Sequence, residues 1–135
     1  MRCLDSTCWG KLELCWKGPL NFCIEEISDI PPALSGVYVL GAFTPTWPLI
    51  IPYYAGQSAQ LRRRLMEHFG GTGTLARHLR VRLSTYFCVA AVSNPLLRSA
   101  AEAALIRDFR PAGNSMFPAP PPILVTPPPN SLLVD

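Results

Sequence analysis

The pattern of hydrophobic and polar positions changes along the chain, and its middle begins with two strand-like segments. Gly36–Leu40 is apolar, β-branched and aromatic, which predicts a strand. Leu49–Tyr54 predicts a second strand, in which Pro52 favours an edge position or a bulge. The loop between the two segments carries Trp47 and is short enough for an antiparallel hairpin.

Helical spacing follows the second strand. Leu61, Leu65 and Phe69 recur every four residues, which predicts the core face of a helix. Ser58 is a suitable N-cap, so we predict that the helix runs from about Ser58 to about Phe69. Residues 70–73 are rich in glycine and predict its end, and residues 75–79 predict a further short helix.

A buried strand and a longer helix complete this part of the chain. Residues 83–92 form an apolar run, which predicts the strand. Asn94 is a capping residue followed by proline at the first helical position, so a helix is predicted from there to about Phe109. The predicted buried stripe of this helix consists of Leu97, Ala101, Ala104, Leu105 and Phe109.

The two terminal regions differ from the middle, and we predict three parts: an N-terminal extension over residues 1–32, a main domain over residues 33–115 and a proline-rich tail over residues 116–135. Residues 11–16 alternate between polar and apolar, and residues 22–24 are apolar, so the extension is predicted to form a hairpin. The tail is expected to be polyproline-like or disordered, with its residues 123–125 as the segment that would dock on the domain.

Composition narrows the class of protein. With 135 residues and 49% hydrophobic content, the chain is long enough for a packed core. No run approaches the ~18 apolar residues of a transmembrane helix, and polar residues stand where a signal peptide needs an apolar core. We therefore expect a cytoplasmic protein with no membrane partner. The five cysteines are an odd number without a C-x-x-C pair, so neither a disulfide framework nor a standard zinc module is expected.

Positive charge is concentrated in the middle of the chain. Residues 36–114 hold nine arginines against three acidic residues, a net charge of +6, whereas the whole chain has a net charge of +3. Genomic arginine bias would explain the number, but position is more informative. Arg62, Arg63 and Arg64 begin the helix that follows the second strand, and His68 lies one turn after Arg64 on the same face. A strand end that leads into a cationic helix is suited to hold a phosphate.

A single carboxylate stands out in the last predicted helix. Glu102 is surrounded by alanines that are small enough to pack tightly, so its carboxylate is expected to be partly buried. Buried carboxylates are usually paired with a cation or bind a metal ion. The alternative to a metal site is an ion pair with Arg98, four residues earlier on the same helix.

Taken in order, the motifs of this stretch resemble the GIY-YIG nuclease family. The two signatures read Gly36-Val37-Tyr38 and Tyr54-Ala55-Gly56, and Gln57-Ser58 leads into the helix. The other family positions are matched by Leu61, Arg64, His68, the metal-binding glutamate Glu102 and the late asparagine Asn114. The resemblance covers residues 35–114. Ala55 departs from the usual isoleucine or valine, and the loop between the signatures is longer than usual.

The resemblance implies an α/β (α+β) fold with a small, mainly antiparallel three-stranded sheet flanked by helices. It also implies a DNA endonuclease that hydrolyses phosphodiester bonds with Mg²⁺ or Mn²⁺. The catalytic residues that it implies are Tyr38, Tyr54, Arg64, His68 and Glu102, with Glu102 as the metal ligand. Tyr38 would orient or deprotonate the attacking water, and His68 is the alternative base. The implied substrate-binding residues are Gln57, Ser58, Arg62, Arg63 and Asn114.

Two alternatives to an independent nuclease stay open at this stage. One is a catalytically silent nucleic-acid-binding or assembly module that retains the fold. The other is a nuclease that depends on a partner protein or acts as a homodimer, since one such site cuts one strand.

Overall fold

The computed structural model describes residues 10–43, 50–70, 84–111, 114 and 123–129. Its main element is a four-stranded antiparallel sheet with the strand order β2-β5-β3-β4, and β1 and β6 form a separate parallel pair. In chain order the elements are β1 Gly10–Leu12, β2 Trp16–Asn21, α1 Ile24–Ser28, β3 Gly36–Phe43, β4 Ile50–Ser58, α2 Leu61–Gly70, β5 Tyr86–Ala91, α3 Pro95–Phe109 and β6 Ile123–Val125.

Helices cover both faces of the main sheet. Val37 and Val39 of β3 lie in the core cluster that includes buried residues of α3. Tyr38 and Leu40 lie in a second cluster with buried residues of α1 and α2. Because β3 is buried on both faces, its sequence is an apolar run instead of an alternating pattern. The expected α/β fold with an antiparallel sheet is therefore confirmed, and Tyr38 points to the α2 side.

The sheet has four strands where three were expected. The additional strand is β2, which pairs with β5 through Trp16↔Ala90 and Leu20↔Phe87. The prediction of an N-terminal hairpin was wrong, since β1 pairs with β6 and not with β2. The apolar residues 22–24, expected as a strand, lead instead into α1. A short alternating pattern indicates a strand but does not identify its partner, and here both partners lie far away in the sequence.

Segment 123–129 docks on the rest of the molecule. Val125 is buried, the Trp16 indole N–H donates to the Thr126 carbonyl at 2.7 Å, and the Arg107 guanidinium donates to the Ile123 carbonyl at 2.9 Å. The sequence predicted that residues 123–125 would be the part of the tail that docks on the domain, and they do so. The part boundaries near residues 32 and 115 remain a prediction.

The two long helices begin with different signals. At α3, the Asn94 side chain accepts hydrogen bonds from the Leu96 and Leu97 amides at 2.9 and 3.1 Å, so the predicted cap is confirmed. At α2, Ser58 still belongs to β4, and its hydroxyl accepts from the Gln60 amide at 3.0 Å before the helix begins at Leu61.

Two positions of the predicted core faces are exposed. Phe69 is 43% exposed, and His68 is buried instead, because Leu61, Leu65 and His68 lie on the side of α2 that faces the sheet. Leu97 is 45% exposed near the start of α3. Residues later in that helix, from Ala101 to Phe109, supply the packing.

Several sequence features lie outside the described residues, among them Trp47, the predicted helix over residues 75–79 and the first two cysteines. The described cysteines Cys15, Cys23 and Cys88 are free. No helix of the described part of the chain is long and apolar enough to cross a membrane.

Candidate active site

The two tyrosines of the signatures meet across the β3–β4 pair. Tyr38 lies opposite Gly56 in the antiparallel register and is 1% exposed. A Cβ atom added to Gly56 would lie 2.5 Å from the Tyr38 hydroxyl and 2.9 Å from a ring carbon of Tyr54. Glycine is therefore needed at residue 56 because the Tyr38 phenol occupies the space that a side chain would fill.

A buried hydrogen bond joins Tyr38 to α2. The Tyr38 hydroxyl lies 2.7 Å from Nε2 of His68, and His68 is 3% exposed. The rings of Tyr38, Tyr54 and His68 contact one another, with centroid separations of 5.4 to 6.0 Å. His68 Nδ1 is buried without a hydrogen-bond partner among the described residues. The last turns of α2 thus bury His68 against the rings of Tyr38 and Tyr54.

Burial keeps both members of this pair neutral. It raises the pKa of Tyr38 far above its ordinary value, with Tyr54 adding to the effect and Arg64 opposing it. Burial and, to a lesser extent, the positive charge of Arg64 together lower the pKa of His68 to about 4, against a smaller opposing effect of Glu67. At neutral pH the pair is therefore a phenol hydrogen-bonded to an uncharged imidazole. Both burial effects act against Tyr38 or His68 as the base, so that role stays a prediction.

Arg64 lies beside the aromatic rings at the start of α2. Its guanidinium donates to a Glu67 carboxylate oxygen at 3.1 Å, and it lies close enough to the Tyr38 hydroxyl for each group to act on the pKa of the other. Arg63 pairs with the same carboxylate at 3.6 Å but is mostly exposed. Glu67 was not predicted as a site residue, although its spacing of three from Arg64 was a visible signal.

A cavity of about 280 Å³ opens in front of these arginines. It is lined by Ser58, Ala59, Gln60, Arg63, Arg64 and Glu67. The structure therefore brings Ser58 and Arg63 to the same place as Arg64, as their assignment to substrate binding requires. Arg62 does not line this cavity and is half-buried on another side of α2.

Glu102 approaches the site from α3. Burial raises the pKa of its carboxyl group, and hydrogen bonds from the side chain and the backbone N–H of Gln57 act in the opposite direction. Burial also raises the pKa of Tyr54, the negative charge of Glu102 raises it further, and Arg64 opposes both. Tyr54 therefore lies close enough to both the carboxylate of Glu102 and the guanidinium of Arg64 for their charges to act on it.

The surroundings of Glu102 suit a hard divalent cation. No ion pair found among the described residues involves Glu102, and the alternative partner Arg98 donates instead to Gln57 at 3.1 Å. Within the same part of the chain, no three histidine, cysteine, aspartate or glutamate side chains form a metal-binding group. A half-buried carboxylate without a cationic partner, acting as one protein ligand, fits Mg²⁺, which keeps several of its waters.

The side chain of Asn114 is half-buried and contacts the backbone of β4. Its carbonyl oxygen accepts from the Ala55 amide at 3.0 Å, and its NH₂ group donates to the Ala55 carbonyl at 2.9 Å. This paired contact positions β4 between the two catalytic-signature residues Tyr54 and Gly56. Its assignment to substrate binding remains untested, and the backbone contact supports a positioning role.

The structure resembles solved nuclease domains. The GIY-YIG N-terminal endonuclease domain of UvrC from Thermotoga maritima, bound to its catalytic divalent cation magnesium, aligns with a TM-score of 0.53 and 23% identity over 67% of this chain and 94% of that domain. A point mutant of the same domain, bound to its catalytic divalent cation, aligns with a TM-score of 0.54 and 21% identity over 69% and 96%. No family model and no curated protein matches the sequence. The likeness at this level of identity is one of fold, and this chain has a GIY-YIG nuclease fold.

Proposed function

We propose that this protein is a DNA endonuclease that hydrolyses phosphodiester bonds with Mg²⁺ or Mn²⁺. The observation that carries the proposal is the proximity of Tyr54 on β4 to Arg64 on α2 and Glu102 on α3, whose opposite charges both act on the pKa of Tyr54. The UvrC domain that shares the fold binds a catalytic divalent cation. A carboxylate, a guanidinium and a phenol together are suited to hold a cation, clamp a phosphate and orient a water molecule.

Glu102 would hold the cation, with water molecules completing its ligand shell. When bound, the cation would supply Lewis-acid stabilisation of the phosphate charge and of the leaving oxygen. Gln57 would keep the carboxylate of Glu102 oriented through its hydrogen bonds. The contact with Gln57 matters because no second protein ligand would fix the orientation of the carboxylate.

Arg64 would donate to a non-bridging phosphate oxygen. Its present acceptor is Glu67, a carboxylate that offers the same kind of paired oxygens as a phosphate. Hydrogen bonds from a guanidinium strengthen as negative charge develops in the transition state. Arg63 and Ser58 line the same cavity and would contact the DNA backbone next to the cleaved bond.

Tyr54 is the phenol that would face the attacking water. It is half-buried and close to the charges of Glu102 and Arg64, whereas Tyr38 is enclosed and hydrogen-bonded to His68. Tyr38 and His68 would fix the position of the Tyr54 ring, which both of their rings contact. The excess of arginine in residues 36–114 would contribute salt-dependent attraction to the DNA backbone.

The test is nicking of supercoiled plasmid by purified protein in Mg²⁺ or Mn²⁺. We expect E102Q, which keeps the shape and removes the charge, to lower the cleavage rate by about 10² to 10³, the usual cost of losing one charge-stabilising group. Lys17 is exposed and lies on β2 at the far edge of the sheet, so K17M is the matched charge control and should cut normally.

Three results would count against the proposal or one of its parts, each in a different way. Equal cleavage by E102Q and the unmutated protein would refute the assignment of Glu102. Salt-dependent DNA binding without cleavage in either metal would support a silent binding module instead. Cleavage that appears only when a second protein is added would identify a partner-dependent nuclease.

A further inference from the structure

The Gln57 side chain is held by two hydrogen bonds at the end of β4. The Arg98 Nε–H donates to its side-chain oxygen at 3.1 Å, and its NH₂ group donates to the Ser99 hydroxyl at 3.0 Å. The side chain and backbone of Gln57 also act to lower the pKa of the Glu102 carboxyl group, so they lie close to it. Arg98, Ser99 and Glu102 all belong to α3, so the amide connects β4 to the helix that carries the proposed metal ligand.

The orientation of this amide decides what it presents to Glu102. Guanidinium can only donate and an ionised carboxylate can only accept, so the Gln57 oxygen must face Arg98 for its NH₂ group to face Glu102. In the reverse orientation an NH₂ group would face Arg98 and an oxygen would face the carboxylate. Both contacts would then be repulsive.

Arg98 is itself fixed by the backbone around it. Its Nη1 donates to the carbonyls of Val92 and Ser93 at 3.5 and 3.4 Å, at the turn between β5 and α3. Arg98 and Glu102 are four residues apart on one helix, the spacing of an ordinary ion pair. The guanidinium is nevertheless directed to Gln57, and no ion pair found in the described part of the chain involves Arg98.

We propose that Arg98 is a positioning residue that fixes the Gln57 amide so that its NH₂ group, and not its oxygen, faces the Glu102 carboxylate that would hold the cation. This inference rests on the proposed function, since it assigns a metal ion to Glu102. It adds a residue outside the motifs of the sequence resemblance. Its effect would pass through Gln57, because Gln57 is the side chain to which the Arg98 guanidinium donates, and its other hydrogen bonds go to the backbone carbonyls of Val92 and Ser93.

The test is Mn²⁺ binding to the full chain without DNA, measured by calorimetry. We expect R98M to bind Mn²⁺ about 10-fold more weakly, as is usual for loss of a group that orients a metal ligand. Simple charge repulsion predicts the opposite sign, because R98M removes a positive charge close to the cation. R98K keeps the charge and a donor and should retain most of the affinity, and K17M is the control for loss of a remote charge.

A double-mutant cycle with Q57M shows whether Arg98 acts through the amide. Once Gln57 is replaced, R98M should cause no further loss of affinity. Unchanged or tighter Mn²⁺ binding by R98M, or equal losses in the presence and absence of Gln57, would overturn the inference. If R98M does not fold, R98A replaces it in the cycle, since alanine favours the helix. Absence of Mn²⁺ binding by the unmutated protein would instead refute the proposed function.

Discussion

Replacement of Gly56 by alanine would directly test the packing of the two signature tyrosines. The added Cβ atom would lie 2.5 Å from the Tyr38 hydroxyl oxygen, 2.6 Å from its ring carbon and 2.9 Å from the Tyr54 ring. Ordinary contacts begin at 3.4 Å, so the Tyr38 phenol would have to move by about 0.9 Å. The enclosed ring cannot move that far without disturbing its hydrogen bond to His68.

The cost of G56A has two parts. Forcing an extra carbon into a packed region costs about 1 to 3 kcal/mol. Leaving the Tyr38 hydroxyl or His68 Nε2 buried without its partner costs about 1 to 3 kcal/mol more. We therefore expect G56A to lower the free energy of unfolding by about 2 to 6 kcal/mol.

Urea unfolding followed by circular dichroism measures this change, with G70A as the matched control. Gly70 ends α2, and a Cβ atom there would meet nothing within 4 Å. Its φ is not in the left-handed region, so alanine should be neutral or stabilising by about 0.4 to 1 kcal/mol. Equal stability of G56A and G70A would refute the close approach of Tyr38 to the β4 backbone.

Two further predictions concern pH and the docked tail. The pKa of His68 is depressed to about 4 from an ordinary 6.5, so the stability that comes from its neutral form is present above pH 6.5. This stability is lost as the pH falls from 6.5 to about 4, by up to about 3 kcal/mol. Urea unfolding at a series of pH values should show the loss, and H68F should flatten the pH dependence. Removal of residues 123–135 should lower stability by at least about 1.5 to 3 kcal/mol, because Val125 is buried, whereas P129A, at an exposed position of the same segment, should have little effect. A pH profile unchanged by H68F, or equal stability of the truncated chain and the P129A variant, would contradict these expectations.

The truncation result also bears on any partner-dependent activity. The proline-rich tail would bind a partner only through residues that do not pack against the domain itself. Segment 123–129 is bound to β1, Trp16 and α3, so its removal would change the domain itself. A test of partner binding by truncation should therefore retain residues 123–129.

Local patterns were sufficient for the elements whose cause is local. The apolar run of β3 predicted a strand because a strand buried on both faces has no polar side. Asn94 followed by proline predicted the start of α3 because capping requires only neighbouring residues. The hairpin of the N-terminal region was wrong because strand pairing is decided by distant segments, here β5 and β6.

The same distinction applies to the candidate site. The sequence by itself determined the order of the two tyrosine signatures and the single carboxylate in an alanine-rich helix. It also determined that Arg64 and His68 are one helical turn apart. Each of these features depends only on residue types and their spacing along the chain. Only the tertiary structure decided that Tyr38 is enclosed over Gly56 while Tyr54 lies close to the charges of Arg64 and Glu102.

Tertiary structure likewise decided the partners of the polar side chains around the site. Gln57 and Arg98 are 41 residues apart, and Asn114 reaches Ala55 across 59 residues. No sequence spacing predicts such contacts, because hydrogen-bond partners are selected by the packing of α3 against β4. The residue types that chemistry requires are therefore visible in the sequence, while their burial, orientation and charge balance arise only when the sheet and its helices come together.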